Sequence, residues 1–145
     1  MDQTVKGVFV PAQTVSKKPK ILVIDTDEDV QKNLKRHLEA AGFRVSQALS
    51  WRKAVDLSAS ESPDLIVLEI ELDRSEICGI DLIHMFKKIR NLPAPILIYT
   101  GHSEKVVEAL DEGASIFIPK STPPAEVVPA ILALIGGTVP IPPGN

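Results

Sequence analysis

The stretch from Ser62 to Glu69 constrains the fold of this chain more than any other. Four consecutive apolar residues at positions 65–68 follow a Ser-Pro break and lead directly to Glu69. A short apolar run bounded by turn residues is typical of a strand buried on both faces, as at the centre of a parallel sheet. Ligands of open α/β sheets bind outside the carboxyl ends of the strands, so this position predicts a functional role for Glu69. The alternative interpretation is that Glu69 is only the first solvated residue after the strand.

Three further apolar runs share this character, and residues 43–48 largely alternate between apolar and polar, as in an edge strand with one covered face. Helical patterns separate all five. This alternation predicts right-handed crossovers and an α/β fold, a doubly wound five-stranded parallel sheet with helices on both faces. In the flavodoxin-like strand order 2-1-3-4-5, the polar residues that follow the strands meet at one edge of the sheet. Those residues are Asp25, Asp27, Glu69, Thr100 and Lys120, and the predicted strands span residues 20–25, 43–48, 62–69, 95–100 and 115–119.

The helices are predicted from apolar residues that recur at intervals of three and four. After the first strand, Asp27 has the residue type and position of a helix N-cap, and Gln31 falls on the outer face of the helix that follows. Ser103 is the predicted cap of a later helix. The apolar positions expected to face the sheet include Val30, Leu34 and Ile89, and the helix after Ser103 carries the apolar residues Val106, Val107, Ala109 and Leu110.

The composition limits the class of protein. The 145 residues fit one domain, which we place at residues 19–136, between an N-terminal tail of residues 1–18 and a proline-rich C-terminal tail of residues 137–145. A formal net charge of -3 argues against nucleic acid as a partner. Cys78 is the single cysteine, so a disulfide framework is excluded, and no apolar run reaches the roughly 18 residues of a membrane span. We therefore expect a cytoplasmic protein with no membrane partner.

Five sequence motifs occur in the order and spacing of a known family. They are Ile-Leu-Val-Ile-Asp ending at Asp25, Pro-Asp-Leu-Ile-Val-Leu before Glu69, Ile-Tyr-Thr-Gly around Thr100, Glu-Ala-Leu-Asp-Glu-Gly-Ala at 108–114, and Ile-Pro-Lys ending at Lys120. Together they resemble the receiver domain of two-component response regulators. In that family an aspartate at the end of the third strand takes a phosphoryl group from a histidine kinase, and acids after the first strand help to hold Mg²⁺. The resemblance implies a signalling module rather than an enzyme.

The resemblance also implies roles for four residues. Asp25 resembles the first metal-binding acid, Thr100 the switch hydroxyl at the end of the fourth strand, and Lys120 the lysine after the fifth. Phe117 occupies the aromatic switch position. Each of the last three also has a purely structural interpretation: Thr100 as a strand cap, Lys120 as a salt bridge and Phe117 as a core residue.

Three positions depart from the family pattern. Thr26 lies where the second metal-binding acid belongs, Glu69 stands where the acceptor aspartate belongs, and Ser121 replaces the proline that usually follows the lysine. Mg²⁺ is usually bound by one or two carboxylates together with waters and substrate oxygens, so Thr26 removes a charged ligand. We therefore expect no cofactor, and any weak Mg²⁺ site would use Asp25, Glu69 and Glu71.

Glu69 carries the main functional hypothesis. Its extra methylene shifts the carboxylate by about 1.5 Å, away from the place of an aspartyl nucleophile and toward that of a phosphoryl group's oxygens. We expect a pseudo-receiver in which Glu69 stands in for phosphoaspartate, pairs with Lys120 and accepts a hydrogen bond from Thr100. The alternative is a receiver that a histidine kinase still phosphorylates in a Mg²⁺-dependent way. A third hypothesis is a doubly wound domain whose crevice binds a small ligand.

The final helix, predicted from Pro124 to about Ile135, is unusually apolar. No charged residue occurs between Glu126 and Asn145, although a surface helix normally has a polar side. Because large exposed apolar patches are uncommon on monomers, we expect a partner protein, a second copy of the chain or residues 5–10 to cover it. The resemblance implies that a histidine kinase or a downstream effector binds the face formed by helix four, strand five and helix five. The predicted interface residues are Val127, Val128, Ile131, Leu132 and Ile135.

Overall fold

Five parallel strands form one sheet in the computed structural model, which describes residues 4–5, 8–9, 18–72 and 76–136. In chain order the strands are β1 (Lys20–Ile24), β2 (Arg44–Ala48), β3 (Leu65–Leu68), β4 (Ile96–Thr100) and β5 (Ile116–Pro119). Their order across the sheet is β2-β1-β3-β4-β5, and every neighbouring pair is parallel. The predicted doubly wound α/β fold and its strand order are confirmed. The central strands β3 and β4 are buried throughout, which is why they read as continuous apolar runs.

Helices cover both faces of this sheet. In chain order they are α1 (Glu28–Ala40), α2 (Trp51–Ser60), α3 (Gly79–Ile83), α4 (Val106–Glu112) and α5 (Pro124–Gly136). A π-helical segment, His84–Ile89, continues α3, and a 3-10 turn, Ser103–Lys105, precedes α4. The apolar sides of α1 and α5 pack on one face of the sheet, and those of α2, α3 and α4 pack on the other. Among the described helices, none has the length and apolar character needed to cross a membrane.

The start of α1 follows the sequence prediction, but one of its residues does not. The Asp27 side chain accepts hydrogen bonds from the N–H groups of Asp29 and Val30, which confirms the predicted N-cap. Gln31 is predicted to face outward, yet only 3% of it is exposed. It lies three residues before the buried Leu34, so both side chains lie on the same side of the helix. The prediction was wrong because hydrophobic periodicity does not register a buried amide.

Three apolar residues on the other face of the sheet are exposed to solvent. Ile89 is 68% exposed, because the wider turns of the π-helical segment rotate it away from the sheet. Val107 and Leu110 are 71% and 40% exposed, since the side of α4 that faces the sheet runs through Ala109. Ser103 begins the 3-10 turn rather than capping α4. The inward position predicted for Ile89 is therefore wrong.

α5 divides its apolar residues between the core and the surface. Val127 and Ile131 are fully buried in the cluster shared with α1, so the prediction that they belong to a partner interface is wrong. Their spacing of four places both on the side of the helix that packs on the sheet. Pro129 lies within the helix on its exposed side. Val128, Leu132 and Ile135 are partly buried, and their place in a partner interface stays a prediction.

The predicted tails, residues 1–18 and 137–145, fall largely outside the described residues. Within the first, Thr4–Val5 and Val8–Phe9 form a short antiparallel pair. The domain boundaries and the coverage of α5 by residues 5–10 therefore stay predictions.

Candidate functional site

Polar residues at the carboxyl ends of four strands converge at one edge of the sheet. Asp25 follows β1, Glu69 follows β3, Thr100 ends β4 and Lys120 follows β5. The backbone holds these ends side by side, since Glu69 N–H donates to the Ile24 carbonyl at 3.0 Å and Lys120 N–H donates to the Thr100 carbonyl at 2.9 Å. The strand order thus brings together four of the site residues predicted from the sequence.

The Glu69 carboxylate lies at the centre of this group, and Glu69 as a whole is only 7% exposed. Its Oε1 lies 2.6 Å from the Nζ of Lys120. Its Oε2 accepts a short hydrogen bond from the Thr100 hydroxyl and a second one, at 3.1 Å, from the backbone N–H of Glu71. Both carboxylate oxygens are therefore held by donors of the same chain.

The Asp25 carboxylate is held in a similar way. Its Oδ2 lies 2.9 Å from Lys120 Nζ, and its Oδ1 accepts a hydrogen bond of 2.9 Å from the backbone N–H of Asp27. The side chains of Asp25 and Lys120 are 5% and 23% exposed. A single ammonium group thus bridges two buried carboxylates, those of Asp25 and Glu69.

Burial and ion pairing shift the pKa values of Asp25 and Lys120 in opposite directions. Burial raises the pKa of Asp25 above its ordinary 3.8, and the hydrogen bonds from Lys120 and from the Asp27 amide offset only part of that increase. Burial alone would lower the pKa of Lys120, but its hydrogen bonds to Glu69 and Asp25 outweigh burial and raise that pKa above 10.5. Lys120 therefore stays protonated at neutral pH and serves as the fixed cation of the site.

The donor set fits Mg²⁺ poorly. Each oxygen of Asp25 and Glu69 is already engaged by a protein donor, and Asp27 uses its carboxylate to cap α1. Thr26 offers no charge, and Glu71 contributes a backbone N–H while its side chain is exposed. Among the residues that the structure describes, no group of three or more His, Cys, Asp or Glu side chains is placed to hold a metal ion.

Phe117 lies apart from these polar contacts. It is partly buried and packs against the apolar cluster on the α2, α3 and α4 side of the sheet.

Gly79, which the sequence did not single out, closes the loop that follows Glu69, because its N–H donates to the Ile70 carbonyl at 2.6 Å. A side chain at Gly79 would place its Cβ 2.7 Å from the Cα of Ile70. Only glycine allows this close approach of the two backbones.

A second aromatic residue, Tyr99, does contact the site. Its hydroxyl donates a hydrogen bond of 2.6 Å to the Thr122 carbonyl, and Lys120 Nζ lies 5.5 Å from its ring centroid. Sequence reasoning missed Tyr99 because it reads as one more apolar residue of β4. The available signal was a phenol between the aliphatic residues of β4 and Thr100.

Gln31 holds the backbone next to the site through its side-chain amide. Its amide nitrogen lies 3.0 Å from the carbonyl oxygens of Val23 and Asp25 and 2.9 Å from that of Ala48. Gln47 in turn donates to the side-chain oxygen of Gln31 at 3.2 Å. These bonds join the ends of β1 and β2 and hold the backbone that carries Asp25.

Comparison with known proteins agrees with this geometry. The family model of the response regulator receiver domain matches residues 21–132. The Response regulator MprA of Mycolicibacterium vanbaalenii is 34% identical over 124 residues, which cover 83% of this chain and 52% of that protein. The protein of the same name from Mycobacterium avium is 32% identical over 83% of this chain and 53% of its own length. The chain thus spans about half the length of the curated relatives that it matches.

Solved structures show the same fold. The receiver domain of Francisella response regulator 1452 superposes with a TM-score of 0.76 at 24% identity, over 84% of this chain and 100% of that one. A LuxR-family two-component response regulator from Aurantimonas sp. gives a TM-score of 0.74 at 29% identity, over 88% of this chain and 91% of that one. From its sequence match, its strand order and its site, this chain belongs to the family of response regulator receiver domains.

Proposed function

We propose that this chain is a pseudo-receiver, a signalling module that binds a protein partner without taking up a phosphoryl group. The position of the Glu69 carboxylate carries the proposal. One of its oxygens lies 2.6 Å from the Lys120 ammonium, and the other accepts a hydrogen bond from the Thr100 hydroxyl. In the receiver pattern these are the lysine and the switch hydroxyl. Glu69 engages both without modification, as a constant substitute for phosphoaspartate.

The length and charge of glutamate support this role. Relative to aspartate, its carboxylate lies about 1.5 Å further along the side chain. Displacement of a nucleophile on that scale costs about 10²-fold in rate, because in-line attack needs closely set geometry. A carboxylate has one negative charge, against about -1.5 to -2 for a phosphate group at neutral pH, so the substitution is a partial one. Glu69 is therefore better suited to imitate the product of phosphorylation than to accept the phosphoryl group.

The hydrogen bonds of the two acids argue in the same direction. Phosphoryl transfer in this class depends on Mg²⁺ to bridge the acceptor and donor oxygens. Here a cation would have to displace Lys120 or a backbone N–H from Asp25 or Glu69. Lys120 already neutralises part of the negative charge that would attract a metal ion.

We propose a signalling protein, a histidine kinase or a downstream effector, as the partner, and the face formed by α4, β5 and α5 as its binding surface. Val107 and Leu110 are exposed on α4 one helical turn apart, and Val128 and Leu132 are partly buried on α5. Exposed apolar side chains that lie together, as Val107 and Leu110 do on α4, are typical of an interaction surface. A second copy of the chain, bound through the same face, is the alternative partner.

The decisive experiment tests phosphoryl uptake. The protein is incubated with Mg²⁺ and acetyl phosphate, and its intact mass is measured. We expect no gain for the wild-type chain. As a matched control, the double variant Thr26→Asp/Glu69→Asp restores the family's acids and should gain one phosphoryl group under the same conditions. A phosphoryl group on a carboxylate of the wild-type chain would refute the proposal and support the Mg²⁺-dependent alternative.

A second experiment tests the role of the Glu69 charge. Glu69→Gln keeps the shape of the side chain but removes the charge that pairs with Lys120. Tagged wild-type and variant chains are used to capture proteins from the native cell, and the captured sets are compared. We expect the variant to lose the signalling partner. Equal capture by both chains would mean that Glu69 has only a structural role.

A further inference from the structure

Two adjacent residues of β4 hold the turn between β5 and α5. Successive side chains of a strand point to opposite faces of the sheet, so Thr100 points to one face and Tyr99 to the other. Lys120 N–H donates to the Thr100 carbonyl at 2.9 Å, and the Tyr99 hydroxyl donates to the Thr122 carbonyl at 2.6 Å. The segment that carries Lys120 is therefore fixed from β4 at two points, one on each side of Ser121.

Tyr99 also contacts the charged end of Lys120. The Nζ of Lys120 lies 5.5 Å from the centroid of the Tyr99 ring, within the range of a cation–π interaction. Tyr99 is 3% exposed, and burial raises the pKa of its phenol above 10.0. The phenol thus keeps its proton at neutral pH and remains a donor to Thr122.

The residue between these two fixed points lacks a restraint that the family pattern normally supplies. Proline limits its own φ angle to a narrow range, whereas Ser121 does not. Thr122 also donates its N–H to the Pro119 carbonyl at 2.9 Å, which closes the turn two residues before α5 begins. The bond from Tyr99 therefore restrains the backbone where proline would otherwise do so.

We propose that Tyr99 is a positioning residue that holds Lys120 between Asp25 and Glu69 and joins this acid site to the amino end of α5. Phe117, at the aromatic switch position of the family, packs among apolar side chains on the opposite face and does not have this role. The positioning of Lys120 stands by itself, whereas the link to a partner surface on α5 rests on the proposed function.

The test uses the whole chain labelled with nitrogen-15 and follows the Lys120 ammonium signal by NMR. Tyr99→Phe removes only the phenol oxygen and keeps the ring in the core. We expect the ammonium protons of Lys120 to exchange with water faster in this variant. Amide exchange at Thr122, Ala125 and Glu126 should rise by up to about tenfold, the effect of losing one typical hydrogen bond. A merely structural hydrogen bond would change the amides but not the ammonium group.

Two further variants complete the test. Phe117→Leu removes the aromatic ring at the family's switch position and should leave the Lys120 ammonium signal unchanged. Tyr99→Phe/Ser121→Pro should regain slow exchange, because proline restores the restraint on the turn. An unchanged ammonium signal in Tyr99→Phe, or an equal change in Phe117→Leu, would overturn the positioning role of Tyr99. If Ser121→Pro did not restore slow exchange in Tyr99→Phe, the idea that the Tyr99 bond takes the place of proline would be overturned. Phosphoryl uptake by the wild-type chain would refute the pseudo-receiver, whereas the exchange measurements, made on the unmodified chain, test the positioning role separately.

Discussion

Replacing Lys120 with methionine removes the single cation between two buried carboxylates. The side chains of Asp25 and Glu69 are 5% and 8% exposed, and each lies within 2.9 Å of the Lys120 ammonium. Methionine has a similar length and an apolar stem, so Lys120→Met changes the charge far more than the packing. The variant therefore isolates the electrostatic contribution of Lys120 to the stability of the fold.

The expected loss of stability is large at neutral pH. Removing one partner of a buried ion pair costs about 3–5 kcal/mol, because the other charge stays buried without compensation. Domains of this kind have unfolding free energies of about 5–15 kcal/mol, so the loss is a substantial part of the total. Adding Glu69→Gln to Lys120→Met removes one of the two stranded charges and should recover part of the loss.

The pH dependence of the lost stability distinguishes the effect of unpaired buried carboxylates from that of poorer packing around the methionine. Without the ammonium group, the pKa of Asp25 rises beyond the increase that burial already causes. A carboxyl group whose pKa is higher in the folded state costs nothing below its unfolded pKa, and its cost grows as the pH rises toward the folded value. Urea unfolding should therefore show a small deficit for Lys120→Met near pH ~4 and a full deficit at neutral pH.

Lys87→Met is the matched control. Lys87 is also partly buried, but its ammonium donates to the carbonyls of Leu92 and Ala94, at 2.8 and 2.6 Å, rather than to acids. Its loss should cost about 1–3 kcal/mol and should not vary with pH in the acid and neutral range. Parallel pH profiles for the two variants, or a deficit under about 1 kcal/mol for Lys120→Met at neutral pH, would refute the reasoning.

Three further changes have expected outcomes. Asp27→Ala removes the N-cap of α1 and should lower the unfolding free energy by about 0.5–2 kcal/mol in urea, with no new dependence on Mg²⁺; a Mg²⁺-dependent change would show that Asp27 binds the metal. Pro129→Ala should raise the melting temperature, since proline inside a helix costs about 3 kcal/mol, and a lower value would mean that the ring makes compensating contacts. Gly79→Ala should destabilise by about 1–3 kcal/mol, because its Cβ would come within 2.7 Å of Ile70 Cα, and wild-type stability would contradict the close approach.

The strands were predictable because burial on both faces demands continuous apolar runs. Residues 65–68 and the run before Asp25 show this pattern directly, and β1 and β3 form where it predicts. The helix faces were less predictable, since periodicity assumes a regular helix. The π-helical segment turned Ile89 outward, and Gln31 entered the core because three backbone carbonyls satisfy its amide.

The sequence alone determined the order of the elements, the family and the set of polar residues at the strand ends, because these depend on local patterns and on a strand order common to the fold. The family resemblance also led us to expect that Glu69 contacts Lys120 and Thr100, but only the tertiary structure decided the full set of contacts, including the pairing of Lys120 with Asp25. Thr100 and Lys120 lie 31 and 51 positions from Glu69, and their bonds to it depend on where separate strands end in space. The same holds for Tyr99, whose bond to Thr122 joins two elements that no local pattern relates. The contacts of the charged side chains at the site therefore depend on how the strands and helices pack.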